Sequence, residues 1–358
     1  MKKKILVVDD SALMRRVLCD IINSDERFEV ADIAHDGAEG FKLICEKKYD
    51  AVVLDVYMPR MTGLELLKEM QKSNVTANVL VASTTTKEGA RETVLALEYG
   101  ALDFIQKPEK LFDAKSDTFS SHFLTLLDVV SRARNVAAIK PTVLTKRSAA
   151  KHEFSAKPVV PRTPSRGSKI IAIASSTGGP KALQYVIPRL PADIGVPVLL
   201  VQHMPKGFTR SLAERLNELS ALSVTEVTDG ELIQAGHVYV AQGGQHMKVI
   251  AKGGGHYIQL SDEATREGVK PCANYMYESL ADSHYDEIIC AVLTGMGSDG
   301  TVGIKNLKSS KKIYVVAQDE DSCAVYGMPK SVVTAKLADD VVPIDQMANE
   351  IIKNVGVH

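Results

Sequence analysis

Short apolar runs rich in β-branched residues alternate with amphipathic stretches along the first 137 residues of the chain. The apolar runs predict strands, and the stretches with apolar residues at helical spacing predict helices. Strands that alternate with helices form a parallel sheet covered on both faces. The predicted strands are residues 4–8, 28–34, 51–54, 78–83 and 101–105, and the predicted helices are residues 12–23, 37–47, 64–72, 87–97 and 117–137. Five such pairs predict a doubly wound, flavodoxin-like (βα)5 domain.

A second α/β region is predicted from residue 169 onward, and a different kind of sequence precedes it. Residues 140–168 are basic, contain four prolines and show no sustained period, which predicts an extended linker. Residues 223–260 are Gly-rich and hairpin-like, which predicts an antiparallel extension of a mostly parallel, doubly wound sheet. The predicted strands of that sheet are residues 170–174, 196–202, 287–293 and 312–317. We therefore predict a first domain at 1–125, with a last helix reaching about residue 138, a linker at 139–168 and a second domain at 169–358.

Composition narrows the functional class. The chain has 358 residues, with 43 Lys and Arg against 44 Asp and Glu, so its formal net charge is -1. This balance argues against a general nucleic-acid binder. No apolar run reaches the roughly 18 residues that cross a bilayer, and the five cysteines form no CxxC pair. We expect a cytoplasmic protein with reduced thiols, no nucleic-acid partner and no membrane insertion.

Polar side chains follow four of the predicted strands in the first domain. Asp9 and Asp10 follow the first strand, Asp55 the third, Ser83 ends the fourth and Lys107 follows the fifth. Because the carboxyl ends of parallel strands lie along one edge, these groups are predicted to meet there. Clustered carboxylates repel each other unless a hard cation such as Mg²⁺ lies among them. An aspartate at such a site can accept a phosphoryl group, while Mg²⁺ and a lysine neutralise the developing charge.

The motifs VVDDS, LDVYMPRMTGLELL, VLVAST and DFIQKP resemble the response-regulator receiver family over roughly residues 3–125. The resemblance implies that Asp55 is the phospho-acceptor and that Asp9, Asp10 and Asp55 hold Mg²⁺. It also implies that Ser83 is the switch hydroxyl, that Lys107 is the phosphate partner and that a histidine kinase is the phosphodonor.

Three strand ends of the second domain carry a hydroxyl, an imidazole and a carboxylate. The segment IIAIASSTGGPKALQYVI reads as a strand, a small-residue turn and a helix. Its residues 174–178 approximate the G-x-S-x-G nucleophile elbow but begin with Ala, and a phosphate-cradling loop is an alternative. His203 follows the next strand, and Asp299 lies just past a later one. Such a set performs acyl transfer when His Nε2 takes the serine proton and Asp orients Nδ1–H.

The strings STGGP, QHMPKGFTRSLAERLN, TGMGSDG and VVAQDEDSCAVYGMPK resemble the chemotaxis protein-glutamate methylesterases over roughly residues 169–355. The resemblance implies that Ser176 is the nucleophile, that His203 is the general base and that Asp299 orients it. It places the Met296 backbone N–H in the oxyanion hole and leaves Ser175 as a rival nucleophile.

The resemblance also implies the reaction and its partners. The expected reaction is hydrolysis of glutamyl methyl esters on the cytoplasmic domains of methylated chemoreceptors, with deamidation of receptor glutamines at the same site. The expected phosphodonor is the chemotaxis histidine kinase. Mg²⁺ is expected for receiver phosphorylation and no cofactor for ester hydrolysis. The unphosphorylated receiver is expected to pack over the hydrolase and obstruct its cleft.

Two other functional classes fit parts of the sequence. A transcriptional response regulator would need a basic recognition helix in a smaller second domain. A nucleotide-dependent enzyme with IASSTGG as its phosphate loop would need the Walker lysine or an acidic ribose partner, and neither is present in the motif.

Overall fold

The computed structural model describes residues 2–84, 86–108, 117–133 and 168–356. These residues form two α/β units that pack against each other. The predicted linker lies outside the described residues except for Ser168, and so does any continuation of the first unit's last helix beyond residue 133. The predicted domain limits therefore remain predictions. No helix among the described residues is both long enough and apolar enough to cross a membrane.

The first unit is a five-stranded parallel sheet in the order β2-β1-β3-β4-β5. Its strands are β1 (Lys3–Val8), β2 (Phe28–Ala34), β3 (Ala51–Asp55), β4 (Val79–Ser83) and β5 (Asp103–Gln106). Its helices are α1 (Ala12–Ser24), α2 (Gly37–Glu46), α3 (Gly63–Lys72), α4 (Lys87–Glu98) and α5 (Asp117–Arg132). The order and the alternation confirm the predicted flavodoxin-like (βα)5 fold.

Position in the sheet explains why the strand sequences of this unit differ. The strands β3 and β4 are buried at every residue because they have a strand on each side and helices on both faces. Their continuous apolar runs therefore carry no alternating polar face. The edge strand β2, by contrast, is only partly buried at several positions. Burial thus confines the polar groups of the central strands to their carboxyl ends, where the helices leave the sheet open.

The second unit is a seven-stranded parallel sheet in the order β14-β13-β12-β6-β7-β9-β8, with a separate antiparallel pair, β10-β11. Its strands are β6 (Lys169–Ser175), β7 (Val198–Gln202), β8 (Ser223–Glu226), β9 (His237–Val240), β10 (His246–Lys252), β11 (Gly255–Ser261), β12 (Glu287–Val292), β13 (Lys312–Gln318) and β14 (Asp340–Val342). Its helices are α6 (Gly179–Val186), α7 (Phe208–Leu219), α8 (Ala273–Ser279), α9 (Thr301–Lys308), α10 (Met328–Thr334) and α11 (Ile344–Val355).

The antiparallel extension is confirmed, but it is shorter than the sequence pattern indicates. Within residues 223–260, only β10 and β11 form an antiparallel hairpin, and they form their own two-stranded sheet. The strands β8 and β9 instead join the edge of the large sheet in parallel. The connection through residues 227–236 is long enough to return the chain to the start of the sheet, so β9 runs in the same direction as β8.

The two units meet through α4 of the first and the helices α6 and α7 of the second. At this interface Arg215 of α7 forms a two-pronged ion pair with Glu98 of α4, with Nε and Nη2 each 2.9 Å from a carboxylate oxygen. The rings of Phe104 and Phe208 lie 4.4 Å apart between their centroids. The contact between the units is therefore partly apolar and partly charged, and it places β5 next to the start of α6.

Candidate active site and phosphorylation site

The turn after β6 carries two adjacent serines with different environments. Ser175 is completely buried, and its hydroxyl donates a hydrogen bond of 2.7 Å to Gln202 Oε1. Ser176 is only partly buried, and its backbone N–H donates to the Thr294 carbonyl at 3.1 Å. A nucleophile needs a hydroxyl that a substrate can reach. This placement favours Ser176 over Ser175.

His203 and Asp299 form a close pair at the same sheet edge. The strands β12, β6 and β7 are neighbours, so the residues that follow them lie side by side. The His203 Nε2 atom is 2.7 Å from Asp299 Oδ2, and both side chains are almost fully buried. The backbone N–H of His203 donates to the Ser175 carbonyl at 3.2 Å, which places His203 directly beside the turn that carries Ser176.

One detail of the predicted arrangement is wrong. The expectation assigned Nδ1 of His203 to the aspartate and Nε2 to the serine, but the structure places Nε2 on Asp299. The reason is geometric, because the imidazole reaches across from the end of β7 and its far nitrogen meets the carboxylate. With Nε2–H held by Asp299, Nδ1 is the nitrogen with a free lone pair.

The carboxylate of Asp299 is held by more groups than His203 alone. Its oxygens accept hydrogen bonds from three backbone N–H groups, those of Ala273 at 2.6 Å, Asn274 at 3.0 Å and Gly300 at 2.8 Å. The Cys272 thiol donates to Oδ1 at 3.0 Å. Burial is the largest influence and acts to raise the pKa of Asp299, but the hydrogen bonds from His203, Cys272 and Ala273 and the attraction to His203 together outweigh it, so this pKa lies below its usual value. Asp299 is therefore a fixed anion beside His203.

Sequence reasoning missed the residues that anchor Asp299. Cys272, Ala273 and Asn274 form the start of α8. Ala273 and Asn274 bind Asp299 through backbone N–H groups, which any residue type except proline supplies, and Cys272 binds it through its thiol. Asn274 is the one member with a visible signal, because it is a fully buried polar residue whose Oδ1 accepts from Gly300 and Gly303. A buried asparagine in a helix indicates such a role only after its partners are known.

The loop that leads to Asp299 passes very close to Ser176. A Cβ atom at Gly295 would lie 2.7 Å from Ser176 Cβ and 2.5 Å from Met328 Sδ, so only glycine fits at this position. Met296 follows directly and is 42% exposed. This arrangement brings the predicted oxyanion residue next to the predicted nucleophile.

The sheet edge of the first unit gathers the predicted phosphorylation residues. The Lys107 ammonium lies 2.7 Å from Asp9 Oδ2 and 2.7 Å from Asp55 Oδ2. Asp9, Asp10 and Asp55 each offer a carboxylate oxygen, and these oxygens lie within 4.8 Å of one another. Three carboxylates at this spacing form the hard-oxygen donor set that Mg²⁺ prefers. Burial raises the pKa of Asp55 to about 6, although the Lys107 ammonium acts in the opposite direction.

Ser83 lies at the same edge, but its hydroxyl contacts α4. The Ser83 Oγ atom is 2.5 Å from Thr93 Oγ1 and 3.3 Å from the Gly89 carbonyl, and both serine and threonine are buried. Thr93 also contacts the Gly89 carbonyl, at 2.7 Å. The predicted switch hydroxyl is therefore held on the helix that packs against the second unit.

The first unit contacts the turn that carries Ser176. Thr177 Oγ1 donates a hydrogen bond of 2.5 Å to Asp103 Oδ2 of β5, and the Gly178 N–H donates to the Leu102 carbonyl at 3.0 Å. Burial raises the pKa of Asp103 to about 6, while the bond from Thr177 lowers it. The start of β5 therefore lies directly against the residues that follow the predicted nucleophile.

Comparison with known proteins assigns both units. The CheB methylesterase family model matches residues 171–351, and the response regulator receiver domain model matches residues 5–115. A protein-glutamate methylesterase/protein-glutamine glutaminase of Geobacillus kaustophilus is 39% identical over 353 residues, covering 99% of each chain. The protein of that name from Pyrococcus horikoshii is 40% identical over 99% of this chain and 94% of its own.

A solved structure agrees with these matches. The crystal structure of the Thermotoga maritima CheB methylesterase catalytic domain shares 40% sequence identity with this chain, with a TM-score of 0.51. It covers 52% of this chain and 98% of that domain. The sequence relationships extend over nearly the whole chain and include both units, so the resemblance expected from the motifs is confirmed. This chain belongs to the CheB methylesterase family and carries a response regulator receiver domain ahead of its catalytic domain.

Proposed function

We propose that this protein hydrolyses the methyl esters of glutamate residues on chemoreceptors and deamidates receptor glutamines at the same site. The substrates are the methylated cytoplasmic domains of the receptors, and the reaction takes place in the cytoplasm. The observation that carries the proposal is the 2.7 Å contact between His203 and Asp299, next to the partly exposed Ser176. A buried imidazole–carboxylate pair beside an accessible serine supports acyl transfer.

The proposed reaction proceeds in two steps. The Ser176 hydroxyl attacks the ester carbonyl while His203 Nδ1 takes its proton, and Asp299 stabilises the resulting imidazolium through Nε2–H. The Met296 N–H stabilises the oxyanion, and the proton on Nδ1 passes to the leaving methoxide, so methanol departs. Water then attacks the acyl-serine with His203 as base again, which releases the glutamate carboxylate and restores the Ser176 hydroxyl. With a glutamine substrate the leaving group is ammonia.

Phosphorylation of Asp55 by a chemotaxis histidine kinase is the proposed input. Asp9, Asp10 and Asp55 would hold Mg²⁺, which supplies positive charge for the oxygens of the transferred phosphoryl group. The Lys107 ammonium, already 2.7 Å from Asp55, is placed to neutralise a further oxygen. Asp55 supplies the attacking carboxylate oxygen.

The proposed output is control of access to Ser176. The receiver contacts Thr177 and Gly178, so a receptor helix cannot approach this turn while the receiver remains docked. Phosphorylation at Asp55 is proposed to weaken this docking. A bias of about 1–3 kcal/mol between docked and released arrangements gives roughly 5- to 150-fold control.

Methanol release from methylated receptor membranes tests the proposal, with and without a small-molecule phosphodonor. Wild type is expected to release methanol faster with the phosphodonor, whereas Asp55→Asn is expected to show only the basal rate. Ser176→Ala is expected to release no methanol and to resist labelling by a serine-directed phosphonate. Ser175→Ala is expected to release methanol and to be labelled. If Ser176→Ala keeps the wild-type rate, the assignment of the nucleophile is wrong.

A further inference from the structure

The side-chain amide of Gln202 connects the two strand ends that carry the nucleophile and the base. Gln202 is the last residue of β7 and is 2% exposed. Its Nε2 donates to the Ser176 carbonyl at 3.0 Å and to the His203 carbonyl at 3.2 Å. The two N–H groups of the Gln202 amide therefore donate one hydrogen bond each to the backbones of Ser176 and His203, the two residues that exchange a proton in the proposed reaction.

Ser175, the third hydrogen-bond partner of Gln202, fixes the orientation of the side-chain amide. The Ser175 hydroxyl donates to Gln202 Oε1 at 2.7 Å. A reversed amide would place its oxygen against the two carbonyl oxygens, which offer no proton. The three contacts together therefore admit one orientation, and the Gln202 side chain that makes them is buried.

The space around the amide is closed by the start of α6. A Cβ atom at Gly179 would lie 2.1 Å from Gln202 Oε1 and 2.9 Å from Ser175 Cβ. The missing side chain of Gly179 thus makes room for the amide, and the Gly179 N–H donates to the Ser176 carbonyl at 2.7 Å. The Ser176 carbonyl accepts from both Gly179 and Gln202, so the backbone of the nucleophile is held from the helix and from the neighbouring strand.

We propose that Gln202 is a positioning residue of the esterase, which sets the distance between Ser176 and His203 through their backbone carbonyls. The inference rests on the proposed function of these two residues. Gln202 touches no reacting atom. Its loss is expected to leave substrate binding nearly unchanged and to lower the rate of the chemical step, because a shift of about 1 Å between reacting groups costs on the order of 10²-fold.

Two substitutions of different chemistry test the role in the full-length chain. Gln202→Glu keeps the shape but replaces the two N–H donors with an oxygen, and Gln202→Met removes them without adding a charge. Each variant is expected to lower kcat for methanol release from methylated receptor by 10- to 100-fold, with KM within threefold of wild type. The rate of phosphonate labelling at Ser176 is expected to fall in parallel, since that reaction also needs His203.

Two controls separate positioning from general damage. Ser175→Ala removes the partner of Oε1 but leaves both donors, so its kcat is expected to fall less than fivefold. Gln71→Glu, on the exposed surface of α3, carries the same chemical change and is expected to leave kcat unchanged. Thermal unfolding is measured for every variant.

The outcomes distinguish this inference from the proposed function. If wild type releases no methanol, the proposed function fails. If wild type is active and a folded Gln202→Met or Gln202→Glu keeps kcat within threefold, the positioning role is overturned while the proposed function stands. An effect confined to KM overturns it as well, and so does failure of both variants to fold, because Gln202 would then be a purely structural residue.

Discussion

Thr177 donates a hydrogen bond of 2.5 Å to Asp103, and this single contact joins the residue after Ser176 to the first residue of β5 in the receiver. It is reinforced one residue further on, where the Gly178 N–H donates to the Leu102 carbonyl. The receiver therefore touches the turn that carries the proposed nucleophile and not only a distant surface. Any change that weakens docking is expected to be visible as a change in the rate of the unphosphorylated enzyme.

The first prediction concerns the ion pair between Glu98 and Arg215. Both side chains are mostly buried, and the carboxylate is bound at two points. Loss of this ion pair is expected to weaken docking by about 0.5–1.4 kcal/mol, which corresponds to a roughly 2- to 10-fold change in the docking equilibrium constant. Glu98→Gln should raise methanol release by the unphosphorylated chain by this factor. Glu69→Gln removes an exposed pair with Lys72 on α3 and should have no effect. A lower rate for Glu98→Gln would contradict the docking role.

The second prediction concerns pH. Burial raises the pKa of Asp103 from 3.8 to about 6 in the docked arrangement, so docking favours the protonated carboxyl. Docking is thus strongest below about pH 4 and weakens as pH rises to about 6, above which this effect is constant. Asp103→Asn stays neutral at every pH. The unphosphorylated wild type should therefore be faster than Asp103→Asn at pH 7, on the order of 100-fold, and the ratio should narrow towards pH 5.

Measuring both proteins at the same pH cancels from the comparison every effect of pH on the chemical step itself. The measurement is the ratio of basal methanol release rates between pH 5 and pH 8. A ratio that does not change with pH would show that Asp103 does not link proton binding to docking.

The third prediction concerns the hydroxyl contact between Ser83 and Thr93. It holds Ser83 on α4, whereas a switch hydroxyl must turn towards a phosphoryl group at Asp55. Thr93→Val removes this hydrogen bond, which stabilises the inward position of Ser83 by about 1 kcal/mol. The phosphodonor concentration for half-maximal activation should therefore fall about fivefold. Thr93→Ser should behave as wild type. In a Ser83→Ala background, Thr93→Val should have no further effect, and a fivefold change there would contradict this explanation.

The fourth prediction concerns Asp299. An asparagine retains the shape but not the negative charge that holds the Nε2–H tautomer and stabilises the imidazolium. Asp299→Asn should lower kcat by roughly 10³- to 10⁴-fold, with little change in KM. Asp345→Asn, on the exposed first turn of α11, serves as the control and should be indistinguishable from wild type. A loss of less than tenfold in folded Asp299→Asn would argue against its role as the partner of His203.

The sequence determined the sheet architecture and the types of chemical group at each sheet edge. Buried parallel strands appear as apolar runs, and their polar residues gather at the carboxyl ends, so the Asp55 pocket and a hydroxyl, an imidazole and a carboxylate at the second sheet edge could be expected from periodicity and strand order. The choice of Ser176 over Ser175 came from the family resemblance. The pairing of β8 with β9 was not predictable in the same way. Strand direction there depends on the path of the connection and not on the residues within either strand.

Only the tertiary structure decided the contacts that depend on side-chain rotamers and on distant segments. It placed Nε2 rather than Nδ1 of His203 on Asp299, and it turned the Ser175 hydroxyl towards Gln202 and away from the open side of the turn. It also brought the start of α8 onto Asp299 and Asp103 onto Thr177. Such contacts arise from packing between elements far apart in the chain, and local sequence patterns carry no information about which atoms then come within bonding distance.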